Sequence, residues 1–136
     1  MPRSLFDADL DPQDMRGANA AFPDHLADGW ARGADGLGIT DDITGIVICG
    51  MGGSAIGADL VRALSAPDSR VPVVVNRSYG VPGWVGETTL VIGSSYSGGT
   101  EETLSAFDAA AEAGAKLAAV TSGGAMQERA SGHPTV

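Results

Sequence analysis

From residue 43 onward, short runs of β-branched residues alternate with alanine-rich stretches whose apolar positions recur every three or four residues. Apolar runs of four to six residues bounded by turn formers predict strands at 45–49, 72–76, 89–94 and 116–121. Helical periodicity predicts a helix over 54–65 with Ile56, Leu60 and Leu64 as its buried stripe. A second is predicted over 100–115 with Leu104, Phe107, Ala111 and Ala115 on one face. The turn Ser122-Gly123-Gly124 then leads into a short helix over 125–130. Strands that read as continuous apolar runs and alternate with helices form parallel sheets covered on both faces. The predicted fold is therefore an α/β, doubly wound parallel sheet.

The earlier residues have a different texture. Asp11-Pro12 followed by Asp14 and Met15 predicts a helix start, with Asp11 as N-cap and Pro12 at the first helical position. A second short helix is predicted from Pro23, with Leu26 and Trp30 on one face, while Gly29, Gly33, Gly36 and Gly38 loosen the segment after it. Residues 1–40 read as a helical preface packed on a domain of residues 41–136. At Gly132-His133-Pro134-Thr135-Val136 one more strand is expected to begin, so the sheet reads as incomplete at its C-terminus.

Composition narrows the class. A length of 136 residues with 43% hydrophobic residues fits one ordinary globular domain. Eight Lys and Arg against 17 Asp and Glu give a net charge of −9, which argues against nucleic acid or an anionic membrane as partner. Residues 1–11 lack the apolar core of a secretory signal, and no apolar stretch approaches the ~20 residues that span a bilayer, so a cytoplasmic protein is expected. Cys49 is the single cysteine and lies in an apolar run, which reads as a buried strand residue rather than a reactive thiol.

Two Ser/Gly-rich turns stand between a predicted strand and a predicted helix: Gly50-Met51-Gly52-Gly53-Ser54 and Ser94-Ser95-Tyr96-Ser97-Gly98-Gly99-Thr100. Glycine allows close backbone approach, and the unpaired N–H groups and dipole of a helix start favour an anion. The first turn extends to the dinucleotide fingerprint if Ala55 stands for its third glycine. That fingerprint also wants an acid at the end of the second strand, where this chain has Asn76-Arg77. Neither turn is followed by the Gly-Lys-Ser/Thr of a Walker site. In the second turn, Ser95, Ser97 and Thr100 supply three hydroxyls within six residues. Single residues of this kind are ordinary caps; the cluster opposite a second glycine-rich turn suits a ligand rich in acceptor oxygens, such as a metabolite phosphate.

Other polar residues add less. Glu101 and Glu102 fall in the first turn of the helix and read as dipole partners, at least one pointing away from a bound dianion. Arg77, at the carboxyl end of a strand, either faces an anion or is simply exposed. His25 and His133 have no carboxylate or second histidine at ligand spacing, so no metal site is supported. No cofactor is expected.

Three segments together carry a family likeness: residues 48–57 around Gly50-Met51-Gly52-Gly53-Ser54, residues 74–82 with Asn76-Arg77-Ser78-Tyr79-Gly80, and residues 95–104 with Ser95-Tyr96-Ser97-Gly98-Gly99-Thr100-Glu101-Glu102. In this order they resemble the bifunctional phosphoglucose/phosphomannose isomerases of the sugar isomerase (SIS) domain superfamily. The resemblance implies a flavodoxin-like SIS domain corresponding to the N-terminal half of that family. It implies a hexose 6-phosphate ligand, with Gly53 and Ser54 on the sugar and Ser95, Ser97 and Thr100 on the phosphate. The family interconverts glucose 6-phosphate and mannose 6-phosphate with fructose 6-phosphate through an enediol, as a homodimer of two-domain chains. Its catalytic glutamate, histidine and lysine come from later sequence, so no catalytic residue is assigned, and this chain by itself is expected to be inactive. Where the family reads Ser-Gly-Asn-Thr, this chain has Ser97-Gly98-Gly99-Thr100. Two alternatives stay open: a non-catalytic sugar-phosphate sensor or binding module on the same domain, and a Rossmann cofactor binder.

Overall fold

The computed structural model describes residues 10–33, 38–39 and 42–135. Expectations placed on residues 1–9, on Gly36 and on Val136 lie outside these. The chain divides into two compact units, Met1–Gly36 and Leu37–Val136.

The first unit holds α1 (Met15–Ala20) and α2 (Phe22–Gly33). Asp14, not Asp11, is the N-cap of α1, in a left-handed conformation with its carboxylate accepting from Gly17 N. Asp11 still serves the helix start, because its carboxylate accepts from Met15 N at 2.8 Å and Arg16 N at 2.9 Å, bonds that lower its pKa. Pro12 therefore precedes the helix instead of opening it. Gly29 and Gly33, expected to loosen the chain, lie inside α2; the Arg32–Asp28 ion pair at 2.8 Å links successive turns of its last stretch. Neither helix has a buried residue.

The second unit is a parallel sheet in the order β2-β1-β3-β4, built from β1 (Gly45–Cys49), β2 (Val73–Asn76), β3 (Thr89–Ser95) and β4 (Lys116–Thr121). Helix α3 (Gly52–Ser65) connects β1 to β2, α4 (Glu101–Glu112) connects β3 to β4, and α5 (Gly124–Arg129) follows β4. The two crossovers step in opposite directions along the sheet. Right-handed connections of that kind put their helices on opposite faces, so the sheet is doubly wound as expected.

The main core lies on the α4 and α5 face. Val47 and Cys49 of β1, Val91 of β3, and Leu117 and Ala119 of β4 point there, against Ala106, Phe107 and Ala110 of α4 and Met126 and Ala130 of α5. Gly93 is what lets the helices close down: a Cβ on it would lie 2.9 Å from Phe107 Cδ2 and 3.0 Å from Met126 Sδ. No helix connects β2 to β3. Instead the connecting segment lays Val81 and Val85 against the same core, so two side chains cover what a helix would otherwise cover. Helix α4 buries Thr103, Ala106, Phe107 and Ala110, with Leu104 half-buried; the expected member Ala111 is exposed. The helix ends earlier than expected, at Glu112, because Gly114 takes φ +75 and turns the chain into β4.

One expectation is overturned. Ile56, Leu60 and Leu64 are not the buried stripe of α3; all three are exposed, Leu64 to 79%. The helix turns Ala55 and Ala58 to the sheet instead. Small side chains at spacing three bring the helix axis close to the strands, and the longer residues on neighbouring positions then point away from the sheet.

Past α5, Thr135 makes a parallel bridge to Ala119, and Ala119 N donates to Pro134 O at 2.9 Å. This is the place where the sequence pattern expects another strand to begin.

Candidate functional site

In open α/β sheets ligands bind outside the carboxyl ends of the strands, at the point where neighbouring connections leave in opposite directions. Here that point lies between β1 and β3, and the two Ser/Gly-rich turns flank it.

The first turn runs from β1 into α3. Gly50 is buried, its N–H donates to Asn76 O at 3.1 Å, and a Cβ there would lie 2.9 Å from Ser94 O, so the two turns meet backbone to backbone. Gly52 takes φ +53, a left-handed conformation that glycine adopts without strain. Met51 occupies the N-cap and no side chain caps α3. A helix without a capping side chain leaves its first N–H groups open to a ligand. Gly53 is exposed and Ser54 half-buried at this opening.

The second turn is internally bonded. Gly98 N donates to the Ser95 carbonyl at 3.2 Å and to Ser95 Oγ at 3.1 Å; Ser95 Oγ and Thr100 Oγ1 lie 3.1 Å apart; Gly99 N donates to Ser97 Oγ at 3.3 Å. Ser95 is only 2% exposed, so its hydroxyl holds the turn in shape. Ser97 is exposed and Thr100 half-buried. Thr100 stands at the N-cap of α4 with its hydroxyl turned to Ser95, and no side chain caps this helix either. The structure thus brings Ser95, Ser97 and Thr100 together on one turn, and Gly53 and Ser54 stand on the neighbouring turn, which meets the second where Gly50 packs on the Ser94 carbonyl.

A third turn, to which the sequence alone assigns no role, supports the second. Met126 N donates to Gly98 O at 2.8 Å, and the Ser122 hydroxyl donates to the Tyr96 carbonyl. Thr121 Oγ1 accepts from Gly123 N at 3.2 Å and donates to Gly123 O at 2.9 Å. The signal is present as Ser122-Gly123-Gly124 after a strand, but its partner is about 25 residues away in the chain.

Charge around the crevice is mixed. Glu101 and Glu102 occupy the first turn of α4, and the Tyr79 hydroxyl donates to Glu101 Oε2 at 3.5 Å. The field of Glu102, followed by desolvation and Glu101, raises the Tyr79 phenol above its ordinary value. Tyr79 reaches this position because Asn76 Nδ2 donates to Ser78 O at 3.2 Å and Gly80 O at 2.8 Å, fixing the bend after β2. The sequence alone assigns Tyr79 no role. Arg77 turns to α3, where it pairs with Asp59 and donates to Ala55 O at 3.4 Å. Cys49 is buried, its thiol pushed up to about 11 by desolvation against the opposing contact from Asn76. The exposed His133 packs edge-on against the buried Phe107, with ring centroids 6.4 Å apart. Among the described residues no three His, Cys, Asp or Glu gather to hold a metal ion, and no helix is long and apolar enough to cross a membrane.

The hydroxyl of Thr103, buried in the first turn of α4, has no hydrogen-bond partner. Burying such a group costs about 1–3 kcal/mol, and valine has nearly its shape. Thr103→Val is therefore expected to raise stability by about 1 kcal/mol in urea denaturation. A loss of stability would show that the hydroxyl has a partner in solution.

No family model matches the chain. The bifunctional phosphoglucose/phosphomannose isomerase of Caldicellulosiruptor bescii is 52% identical over 88 residues, 65% of this chain and 26% of that protein. Its namesake from Thermoplasma acidophilum is 47% identical over 94 residues, 69% of this chain and 29% of its own length. This chain is similar to the bifunctional phosphoglucose/phosphomannose isomerases over about two thirds of its length. It spans between a quarter and a third of the length of these relatives. The D-glucosamine-6-phosphate 4-epimerase of Sulfolobus acidocaldarius is also similar, 39% identical over 61% of this chain and 26% of that protein. The fold recurs in a Clostridium difficile 630 protein assigned as a phosphosugar isomerase, with TM-score 0.64 and 23% identity over 74% of this chain and 31% of that one. It recurs again in tagatose-6-phosphate ketose/aldose isomerase of Escherichia coli, with TM-score 0.55 and 19% identity over 98% of this chain and 35% of that one. The doubly wound SIS fold expected from the sequence is the fold of these phosphosugar isomerases.

Proposed function

We propose that this chain holds the phosphate of a hexose 6-phosphate in the crevice between the two turns. It would thereby form the phosphate-binding part of an enzyme that interconverts glucose 6-phosphate and mannose 6-phosphate with fructose 6-phosphate. The observation that carries this reading is the pair of helix starts without side-chain caps at the sheet's switch point, one of them carrying Ser97 and Thr100. A hydrogen bond to a charged group contributes about 1.5–3 kcal/mol, and a helix terminus about 0.3–1 kcal/mol more. Set against the cost of association, a few such contacts leave an affinity between roughly millimolar and micromolar. The 4-epimerase among the relatives supports the same emphasis: its name, like that of the isomerases, carries a phosphorylated hexose while the reaction differs.

The proposal includes the homodimer of two-domain chains that the family resemblance implies, with the proton-transferring groups supplied from outside this chain. Near the crevice stand Glu101, Glu102 and Tyr79, at the end of the crevice where the dianion would repel a carboxylate base. Binding without turnover is therefore expected. Calorimetric titration of the purified protein should show saturable binding of glucose 6-phosphate and none of glucose, and an isomerase assay should read background. Equal binding of glucose would overturn the phosphate assignment, and turnover would overturn the division of labour.

A further inference from the structure

Helix α3 turns four aliphatic side chains outward: Ile56 is 61% exposed, Leu60 52%, Val61 53% and Leu64 79%. Ala55 and Ala58 take the sheet, so these four lie on the outward half of the helix. Gly53 and Gly57 share that side; both are exposed, and a Cβ on either would meet nothing within 4 Å. Positions 53, 57, 60 and 64 follow the i, i+4, i+7, i+11 spacing of a single helix face. The helix's charged residues, Asp59 and Arg62, are not on it: they pair with each other at 3.6 Å, and Asp59 also pairs with Arg77 beside β2. The outward face is therefore apolar throughout, bulky toward its C-terminal end and bare toward its N-terminal end.

We infer that this face binds a second copy of the chain, α3 against α3 across a two-fold axis. The helix runs from Gly52 to Ser65, so its midpoint falls between Ala58 and Asp59. A second α3 laid antiparallel about an axis through that midpoint brings together residues equidistant from it. Leu60 meets the partner's Gly57, Leu64 meets the partner's Gly53, and Val61 meets the partner's Ile56, each contact made twice. Every leucine then sits over a glycine, where the bare backbone leaves room, and the face is its own complement as a two-fold interface requires. The N–H of Gly53, directed along the helix axis, stays open to the crevice. Charge favours the same occupant. Two copies at a net charge of −9 repel through their charged surfaces and meet at least cost where neither carries a charge. The area sets the strength: at roughly 100 Å² for each of the four aliphatic side chains, with the two glycines, a pair buries about 1,000 Å² in total, the lower limit for a specific interface. The dimer is therefore weak, with a Kd of about 10–100 μM. The homodimer proposed above belongs to longer, two-domain chains; this contact is made by the present chain's own residues and does not depend on the phosphate reading.

The experiment is sedimentation equilibrium of the intact chain from about 1 to 500 μM, beside three variants: Leu60→Asp, Gly57→Leu and Trp30→Asp. The unaltered protein is expected to pass from monomer to dimer across that range. Leu60→Asp and Gly57→Leu should each weaken the dimer by at least about tenfold, the first by placing a charge in the contact and the second by filling the space that the partner's Leu60 occupies. Gly57→Leu is the sharper of the two. It enlarges the exposed apolar surface, so indiscriminate association would strengthen, whereas the glycine-to-leucine match requires that it weaken. Leucine is also the better helix former, so α3 is kept, and circular dichroism checks the fold of each variant. Trp30, 83% exposed on α2, is the control for the other apolar helix, and Trp30→Asp should leave the dimer unchanged. A chain that stays monomeric throughout, stronger association of Gly57→Leu, or a dimer lost in Trp30→Asp and kept in Leu60→Asp would each overturn the inference and leave the phosphate reading untouched.

Discussion

Gly98→Ala is expected to destabilise the protein by roughly 3 kcal/mol or more and to abolish phosphate-ester binding. Gly98 takes φ +67, where an alanine is strained by about 1 kcal/mol. The larger cost is contact. A Cβ at this position would lie 1.7 Å from the Gly123 carbonyl oxygen, a backbone atom that cannot rotate away. Gly124, at φ +67 on the other side of the junction, has its own Cβ position 2.8 Å from Ser97 O. The second and third turns are therefore pressed together with no room for a methyl group. Separating them would break the Met126 N to Gly98 O bond and the Ser122 to Tyr96 bond. Gly99→Ala is the control, because its Cβ position meets nothing within 4 Å and its φ is unexceptional. It should stay within about 1 kcal/mol of the parent. Chemical denaturation of both variants decides the matter, and a Gly98→Ala protein as stable as Gly99→Ala would show that the junction is not tight.

The second large effect is on binding. The double variant Ser97→Ala, Thr100→Ala should lower affinity for glucose 6-phosphate by at least about 100-fold, since each lost hydrogen bond to a charged group is worth about 1.5–3 kcal/mol. Stability should fall less than in Ser95→Ala, because Ser97 is exposed and Thr100 only half-buried, and the Ser95 bond to Gly98 N remains. Ser95→Ala is expected to behave differently. Its buried hydroxyl bonds Gly98 N and Thr100, so its removal should loosen the turn as well as weaken binding. In the parent protein, binding should also weaken as pH falls through about 6, where the ligand's phosphate gains its second proton and loses half its charge. A double variant that binds like the parent would remove the second turn from the site.

How much of this is readable in the chain depends on how local the cause is. Strands β1 and β4 fall on the expected residues because short apolar runs bounded by turn residues mark both ends locally. The face of α3 is not readable. Ile56, Leu60, Val61 and Leu64 spread apolar side chains over more than one side of that helix, and periodicity alone cannot tell which side the sheet takes. What decides is the close approach at Ala55 and Ala58, a requirement of the strands rather than of the helix. The start of α1 differs from expectation for a related reason: Asp11 and Asp14 both compete as caps, and only the backbone settles which one stands at the cap.

The candidate site divides in the same way. The hydroxyls of the second turn and the glycines of the first are local signals, and the structure sets the two turns side by side, Gly50 against the Ser94 carbonyl. The inward turn of Ser95 and the reach of Tyr79 to Glu101 depend on bonds across the turn and across the sheet edge. So does the support of Gly98 by Gly123. These are contacts between segments that sequence spacing does not relate.

The function proposed for this chain depends on phosphate being held between the two turns at the switch point, and amide-resolved NMR during a glucose 6-phosphate titration is the sharpest test of that placement. Saturable shifts concentrated at Gly52, Gly53 and Ser54 and at the amides from Ser97 to Thr103 are the expected result. Saturable shifts centred instead on the arginine-lined cleft of about 440 Å³ at Arg62 and Arg70, at the opposite end of β2, would refute it.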